Sequence, residues 1–113
     1  MAWIDLPKKK DKRVSTFAKG EYQSIYQNPK WKRLREKKFN ANPLCEKCLE
    51  AGIYTNTAEI HHIIPFKYGK EKWEVHTLAF NFLNTMSLCV KCHKEAHENF
   101  QMNLELRKIL LGY

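Results

Sequence analysis

Nine residues of this chain, four cysteines and five histidines, are of types that hold metals. The cysteines form two identical pairs, Cys45-x-x-Cys48 and Cys89-x-x-Cys92, with forty residues between them. A Cys-x-x-Cys knuckle directs two thiolates at one metal, and two knuckles complete the four-sulfur tetrahedron of a closed structural zinc site. Two disulfides are the competing reading. The N-terminus has no apolar block followed by a small-residue cleavage site, so a reducing compartment is expected, where metal thiolates persist and disulfides are rare. A thioredoxin-like role would use one such motif beside a βαβ pattern, which the sequence lacks. The histidines are also paired: His61 and His62 are adjacent, while His93 and His97 are four apart and share one helical face. An i, i+4 pair chelates one cation with both imidazoles. A third ligand from a neighbouring strand then leaves positions open for water and substrate, the layout of a catalytic metal site. The plainer reading puts His93 and His97 in the knuckle itself, but four thiolates already fill that sphere. His76 matches no pattern and reads as a surface or packing residue.

The elements that must position these side chains follow from local signals. Asn28-Pro29 is an N-cap followed by proline at the first helical position, and Trp31, Leu34, Lys38 and Phe39 fall near one face, predicting a helix over residues 29–39. Its other face carries Lys30, Lys32, Arg33 and Lys37, cations available to phosphate. Glu50-Ala51-Gly52 signals a turn after the first knuckle. The β-branched run 58–64 predicts a strand that Pro65 ends. A short helix within 70–80 and a second strand near 86–88 come next, and the second knuckle opens into a helical stretch over 90–111 that carries His93 and His97. Between Val14 and Ile25 the pattern is weak, with Phe17, Tyr22 and Ile25 as docking points and no assignable chemistry. The apolar segment from Leu104 to Leu111 reads as core or as a small interface for a protein partner.

With 113 residues, 43% hydrophobic and 12% aromatic, the chain is one folded domain with one core. No stretch approaches the roughly 20 apolar residues of a membrane span, so neither membrane insertion nor export is expected. Charge is distributed unevenly. Residues 1–44 hold twelve Lys/Arg against four Asp/Glu and residues 45–113 hold eight against eight, so the net charge of +8 lies in the first segment. Lys8, Lys9, Lys10, Lys12 and Arg13 make residues 1–13 a basic arm whose natural partner is a polyanion, since each phosphate neutralised releases condensed counterions.

The run Glu59-Ile60-His61-His62-Ile63-Ile64-Pro65, then Asn84, then Leu88-Cys89-x-x-Cys92-His93-x-x-x-His97 resembles the His-Asn-His (HNH) nucleases. The resemblance covers roughly residues 43–100, and Trp31-Lys32-Arg33-Leu34-Arg35 with Asn42-Pro43-Leu44-Cys45 resembles the lead-in of small phage-encoded members. It implies an α+β fold: a ββα-metal (His-Me finger) core with a two-knuckle, four-cysteine zinc site and flanking helices. The basic arm and a loosely assigned segment would occupy 1–28 and the nuclease domain 29–113. His61, His93 and His97 are then the ligands of one catalytic divalent ion, an arrangement similar to the colicin-type DNases. His62 is then the general base, since a neutral imidazole accepts a proton from water at neutral pH. Asn84 is the central asparagine that braces the hairpin and orients that base, with Asn81 its rival by register. Adjacent residues of a strand face opposite ways, so His61 and His62 share a site only through an irregular strand end or a phosphate lying between them. An all-histidine shell favours Zn²⁺, Ni²⁺, Co²⁺ or Mn²⁺ over Mg²⁺.

The activity implied is metal-dependent hydrolysis of DNA to 5′-phosphate and 3′-hydroxyl ends, nicking or cutting duplex with low sequence preference in the cytoplasm, the host bacterial cytoplasm for a phage-encoded chain. Phage terminase or another DNA-processing complex is the candidate protein partner. The alternative is a non-catalytic, zinc-stabilised DNA-binding module. His62 discriminates between them, because a pure binder has no use for an additional unliganded imidazole beside a metal.

Overall fold

Asn28 starts the element that carries the basic face. Its Oδ1 accepts a hydrogen bond from the Lys30 backbone N–H at 2.8 Å, and Pro29 fills the first turn where no donor is needed. The computed structural model of the chain describes residues 19–113. Helix α1 spans Lys19–Gln27, and α2 spans Pro29–Ala41, running past the expected end at 39. Lys8, Lys9, Lys10, Lys12, Arg13 and Phe17 lie outside the described residues. Trp31, Leu34 and Lys38 form the buried stripe of α2, but Phe39, expected with them, is 46% exposed. One further step of the helix rotates it about 100° off that stripe. Lys38 can be buried because its Nζ pairs with Glu46 Oε2 at 2.9 Å and lies 4.9 Å from the Phe82 ring centroid. The other end of that pair is tied down as well, since Glu46 Oε2 accepts from the Ser87 backbone N–H.

The sheet is a single antiparallel hairpin of β1 (Glu59–His62) and β2 (Thr85–Leu88), with His61 opposite Met86 and His62 opposite Thr85. β1 is shorter than the expected strand because Ile63 and Ile64 leave the ladder to bond Asn84 instead. A two-stranded hairpin is marginal alone, so flanking helices supply its stability. α3 (Glu46–Glu50) is the helical turn of the first knuckle, α4 (Lys72–Phe80) lies between the strands in sequence, and α5 (Val90–Glu98) packs on both strands. The arrangement is α+β, with strands and α5 forming the ββα unit. A 3₁₀ turn, Phe66–Tyr68, links β1 to α4, and a second, Phe82–Asn84, leads into β2. Gly69 permits the first link to close onto α4: a Cβ there would stand 2.6 Å from the Val75 nitrogen.

The helical stretch expected over 90–111 is broken. Helix α6 (Leu104–Leu111) is separate from α5, with Asn103 Oδ1 capping its start by accepting from the Leu106 N–H at 2.9 Å. A continuous helix of that length would extend about 33 Å and carry Leu111 away from the body. With the break, Leu111 joins Ile25, Ile64, Phe66, Val75, Leu78 and Ala79 in the main core. Ile25 comes from α1, so the packed body includes residues preceding position 28. A second cluster holds Trp31, Leu34 and Ile60, and a third holds Cys45, Leu88 and Cys89. Among the described residues no helix is long and apolar enough to cross a membrane.

Candidate metal centre and active site

Each knuckle is built the same way. Cys45 is the N-cap of α3 and its Sγ accepts from the Cys48 N–H at 3.4 Å; Cys89 is the N-cap of α5 and accepts from Cys92 N–H at 3.5 Å. The hairpin brings the two caps together, so that all four sulfurs lie within 4.8 Å of one another. Cys48 Sγ is 3.8 Å from both Cys89 Sγ and Cys92 Sγ. That separation is the edge of a tetrahedron with zinc–sulfur bonds of about 2.3 Å, roughly 3.8 Å. The donor set and spacing therefore fit zinc. The protonation energetics agree. Burial alone would raise the Cys45 thiol, but bonds from the Cys48 and Cys89 backbones and from the Cys48 and Cys92 thiols outweigh it and bring it down to about 7. Burial, together with bonds to Cys89, Cys45 and Cys48, pushes the Cys92 thiol up. The opposite shifts of Cys45 and Cys92 show that neighbouring thiolates in this cluster oppose one another, and a cation is needed to hold four together.

The histidines form a second centre one residue further along α5. Strand alternation turns His61 toward this helix, where its ring centroid is 5.2 Å from that of His93 and 5.1 Å from that of His97, nearly perpendicular to both. His93 Nε2 and His97 Nε2 are 3.1 Å apart. Two nitrogens bound to one ion at 2.0–2.1 Å are separated by about 2.9 Å at a right angle and about 3.4 Å at the tetrahedral angle. The observed separation lies between them, so the three imidazoles fit a divalent ion. His61 is 8% exposed, and burial, with the neighbouring His93, His97 and His62, lowers it to about 3. Burial also lowers His93 and His97. All three are neutral at pH 7, the form that ligates.

His62 faces the other way, into a pocket made by α1, α2 and α4. It is 7% exposed, stacked on the Trp31 ring at 4.6 Å, and met edge-on by Phe66 at 5.2 Å. Its Nε2 lies 3.0 Å from the Ala79 carbonyl, an acceptor, so Nε2 carries the proton and Nδ1 the lone pair. Burial lowers His62 to about 4, against a smaller upward push from the Ala79 bond. A histidine depressed in this way binds fewer protons folded than unfolded. Its stabilising contribution is complete above about pH 6.5 and is lost as pH falls toward 4, at about 1.4 kcal/mol per pH unit. The parent is therefore expected to lose more stability than His62→Gln between pH 7 and pH 5. Urea midpoints of both proteins measure this, and equal losses would show that the buried neutral imidazole is not the cause.

Asn84 is fully buried and uses its whole amide. Oδ1 accepts from Ile64 N–H at 2.8 Å, while Nδ2 donates to the carbonyls of Ile64 at 2.9 Å and Leu78 at 2.7 Å. It thus ties the chain just after His62 to the turn of α4 whose next carbonyl, that of Ala79, holds the imidazole. Asn81 does something smaller: it caps the following 3₁₀ turn by accepting from Leu83 N–H at 2.9 Å. Asn84→Ala strands one buried donor and two acceptors and is expected to cost about 3 kcal/mol or more, against about 1 kcal/mol for Asn81→Ala. Denaturant midpoints for the two variants check this ranking.

Lys30, Lys32, Arg33 and Lys37 are all exposed on α2, the first and last with their Nζ 5.9 Å from the Phe80 ring and 5.4 Å from the Phe82 ring. His76 is exposed, its ring tilted against Phe80 at 5.7 Å, and it belongs to neither cluster. One contributor escaped the sequence reading: Trp31 was legible as a buried residue of α2 but not as the platform for His62.

Residues 45–99 match a family described as HNH endonuclease. Among solved structures, the HNH endonuclease of the deep-sea thermophilic bacteriophage GVE2, crystallised with manganese ion, superposes with a TM-score of 0.61 at 25% identity, over 80% of this chain and 90% of that one. No curated protein matches the chain.

Proposed function

Starting from a chain that belongs to the HNH endonuclease family through residues 45–99, and is a nuclease on that ground and by its fold, we propose that it hydrolyses DNA to 5′-phosphate and 3′-hydroxyl ends, nicking or cutting duplex with low sequence preference. The observation that carries this reading is the convergence of His61, His93 and His97 on one point, with a neutral His62 next in the chain. A divalent ion held by the three imidazoles would polarise the scissile phosphate and stabilise the departing oxygen. Zn²⁺, Ni²⁺, Co²⁺, Mn²⁺ and Mg²⁺ are the candidates, and the manganese in the GVE2 enzyme supports Mn²⁺. The four cysteines hold structural zinc.

In this reading the phosphate lodges at the end of β1, where the chain turns after His62. The water oxygen bonds to phosphorus, the bond to the 3′ oxygen breaks, and the water proton passes to His62 Nδ1. The Ala79 carbonyl keeps Nε2 protonated and aims Nδ1. Asn84 holds the two segments that set this alignment. The exposed cations of α2, Lys30, Lys32, Arg33 and Lys37, with Lys8, Lys9, Lys10, Lys12 and Arg13 of the arm, grip the DNA backbone without reading bases. A terminase or another DNA-processing complex is the proposed setting.

Supercoiled plasmid treated with metal-stripped, zinc-retaining protein plus each of the five ions in turn tests the proposal. Nicked circles appearing with at least one ion are expected. Plasmid that stays supercoiled with all five, while the protein still retards it on a gel, would favour the binding module.

A further inference from the structure

The 3₁₀ turn Phe66–Tyr68 is anchored at both ends to the site. Phe66 packs edge-on against His62, and Tyr68 stacks on Phe100 at 5.5 Å with planes 15° apart, three residues beyond His97. Between these two aromatics stands Lys67, exposed, with its Nζ 5.6 Å from the Tyr68 ring. Among the described residues no carboxylate pairs with Lys67, whereas Lys94 on α5 has Glu98 at 4.0 Å. The turn thus carries an ammonium without a carboxylate partner, on a link whose flanking aromatics reach the proposed base on one side and the segment just past the metal-binding helix on the other.

We propose that Lys67 is a catalytic residue whose ammonium contacts a non-bridging oxygen of the phosphate being cut. The inference rests on the nuclease reading. As water adds to phosphorus and the 3′ oxygen leaves with its bonding electron pair, negative charge grows on the non-bridging oxygens; the 3′ oxygen takes a proton from solvent and His62 takes one from the attacking water. Lys67 transfers no proton. It donates a hydrogen bond to the oxygen on which charge accumulates, and a fixed cation stabilises that arrangement more than the ground state. A lysine suits the position because its compact charge can follow one oxygen with any of three donors.

Parent, Lys67→Gln and Lys67→Arg are compared for plasmid nicking with Mn²⁺ at saturating DNA, for duplex binding by the metal-stripped proteins across a salt series, and for melting temperature. Lys67→Gln is expected to lower kcat about tenfold to a hundredfold, and to make the salt dependence of binding shallower by about 0.9 in log–log slope. Lys67→Arg should stay within about threefold of the parent, and the melting temperatures should coincide. If the parent cuts and Lys67→Gln cuts with the same kcat, the role of Lys67 is overturned while the nuclease reading stands. A parent inert with every ion overturns both.

Discussion

His62→Gln is expected to lower plasmid nicking about a hundredfold to ten-thousandfold, the range for removing a positioned general base, while leaving duplex binding and the fold intact. Glutamine is preferable to alanine because the imidazole has two duties that the variant can separate. The Nε2–H donates to the Ala79 carbonyl in a pocket closed by Trp31 and Phe66. Alanine would abandon that carbonyl and leave a void beneath Trp31, costing stability for reasons unrelated to catalysis. A glutamine amide can restore the donor but offers no basic lone pair where Nδ1 stands. Loss of nicking with a normal melting temperature, normal Mn²⁺ uptake and normal gel retardation would isolate the proton acceptor. Nicking within threefold of the parent would sink the assignment of His62 as base and direct attention to a water held by other groups.

The cysteine and histidine clusters were legible because their geometry is local. Cys-x-x-Cys and His-x-x-x-His fix two ligands each within a single turn, and only the meeting of two turns had to be supplied by the fold. The alternation of β1 was equally legible, and it separates His61 from His62 as strand geometry requires. What the sequence could not display were pairings between distant segments. Nothing near Lys38 announces Glu46 as its buried partner, nothing near Trp31 announces His62, and Lys67 acquires its neighbours only because Tyr68 finds Phe100. The break at 99–103 is a case where two asparagines outweighed a helical pattern, since a helix that stopped and turned could bury Leu111 and one that continued could not. Phe39 shows the opposite limit, a hydrophobic residue assigned to a face that the helix carried one step past.

Cys45→Ser is expected to leave no cooperatively folded domain, and the effect should reach the histidine centre as well. Cys45 is fully buried in a cluster whose apolar members are few, so hydrophobic contact alone holds this end of the molecule weakly, and the proposed zinc is expected to supply the rest. Binding of structural zinc contributes on the order of 10 kcal/mol, comparable with the whole stability of a domain this size. Cys89 caps α5 and Cys92 lies in its first turn, with His93 the next residue and His97 one turn further on. Releasing the sulfurs therefore frees the helix that brings two imidazoles to His61. The dependence should run in one direction. His93→Ala should keep one zinc per chain and a cooperative melt while losing the second metal, whereas Cys45→Ser should lose both metals and the melt. Metal content by emission spectroscopy, read with circular dichroism on the same samples, separates these outcomes. A Cys45→Ser protein that melts within a few degrees of the parent would remove the four-thiolate site as the keystone of the fold, because a three-sulfur shell would then suffice to position α5.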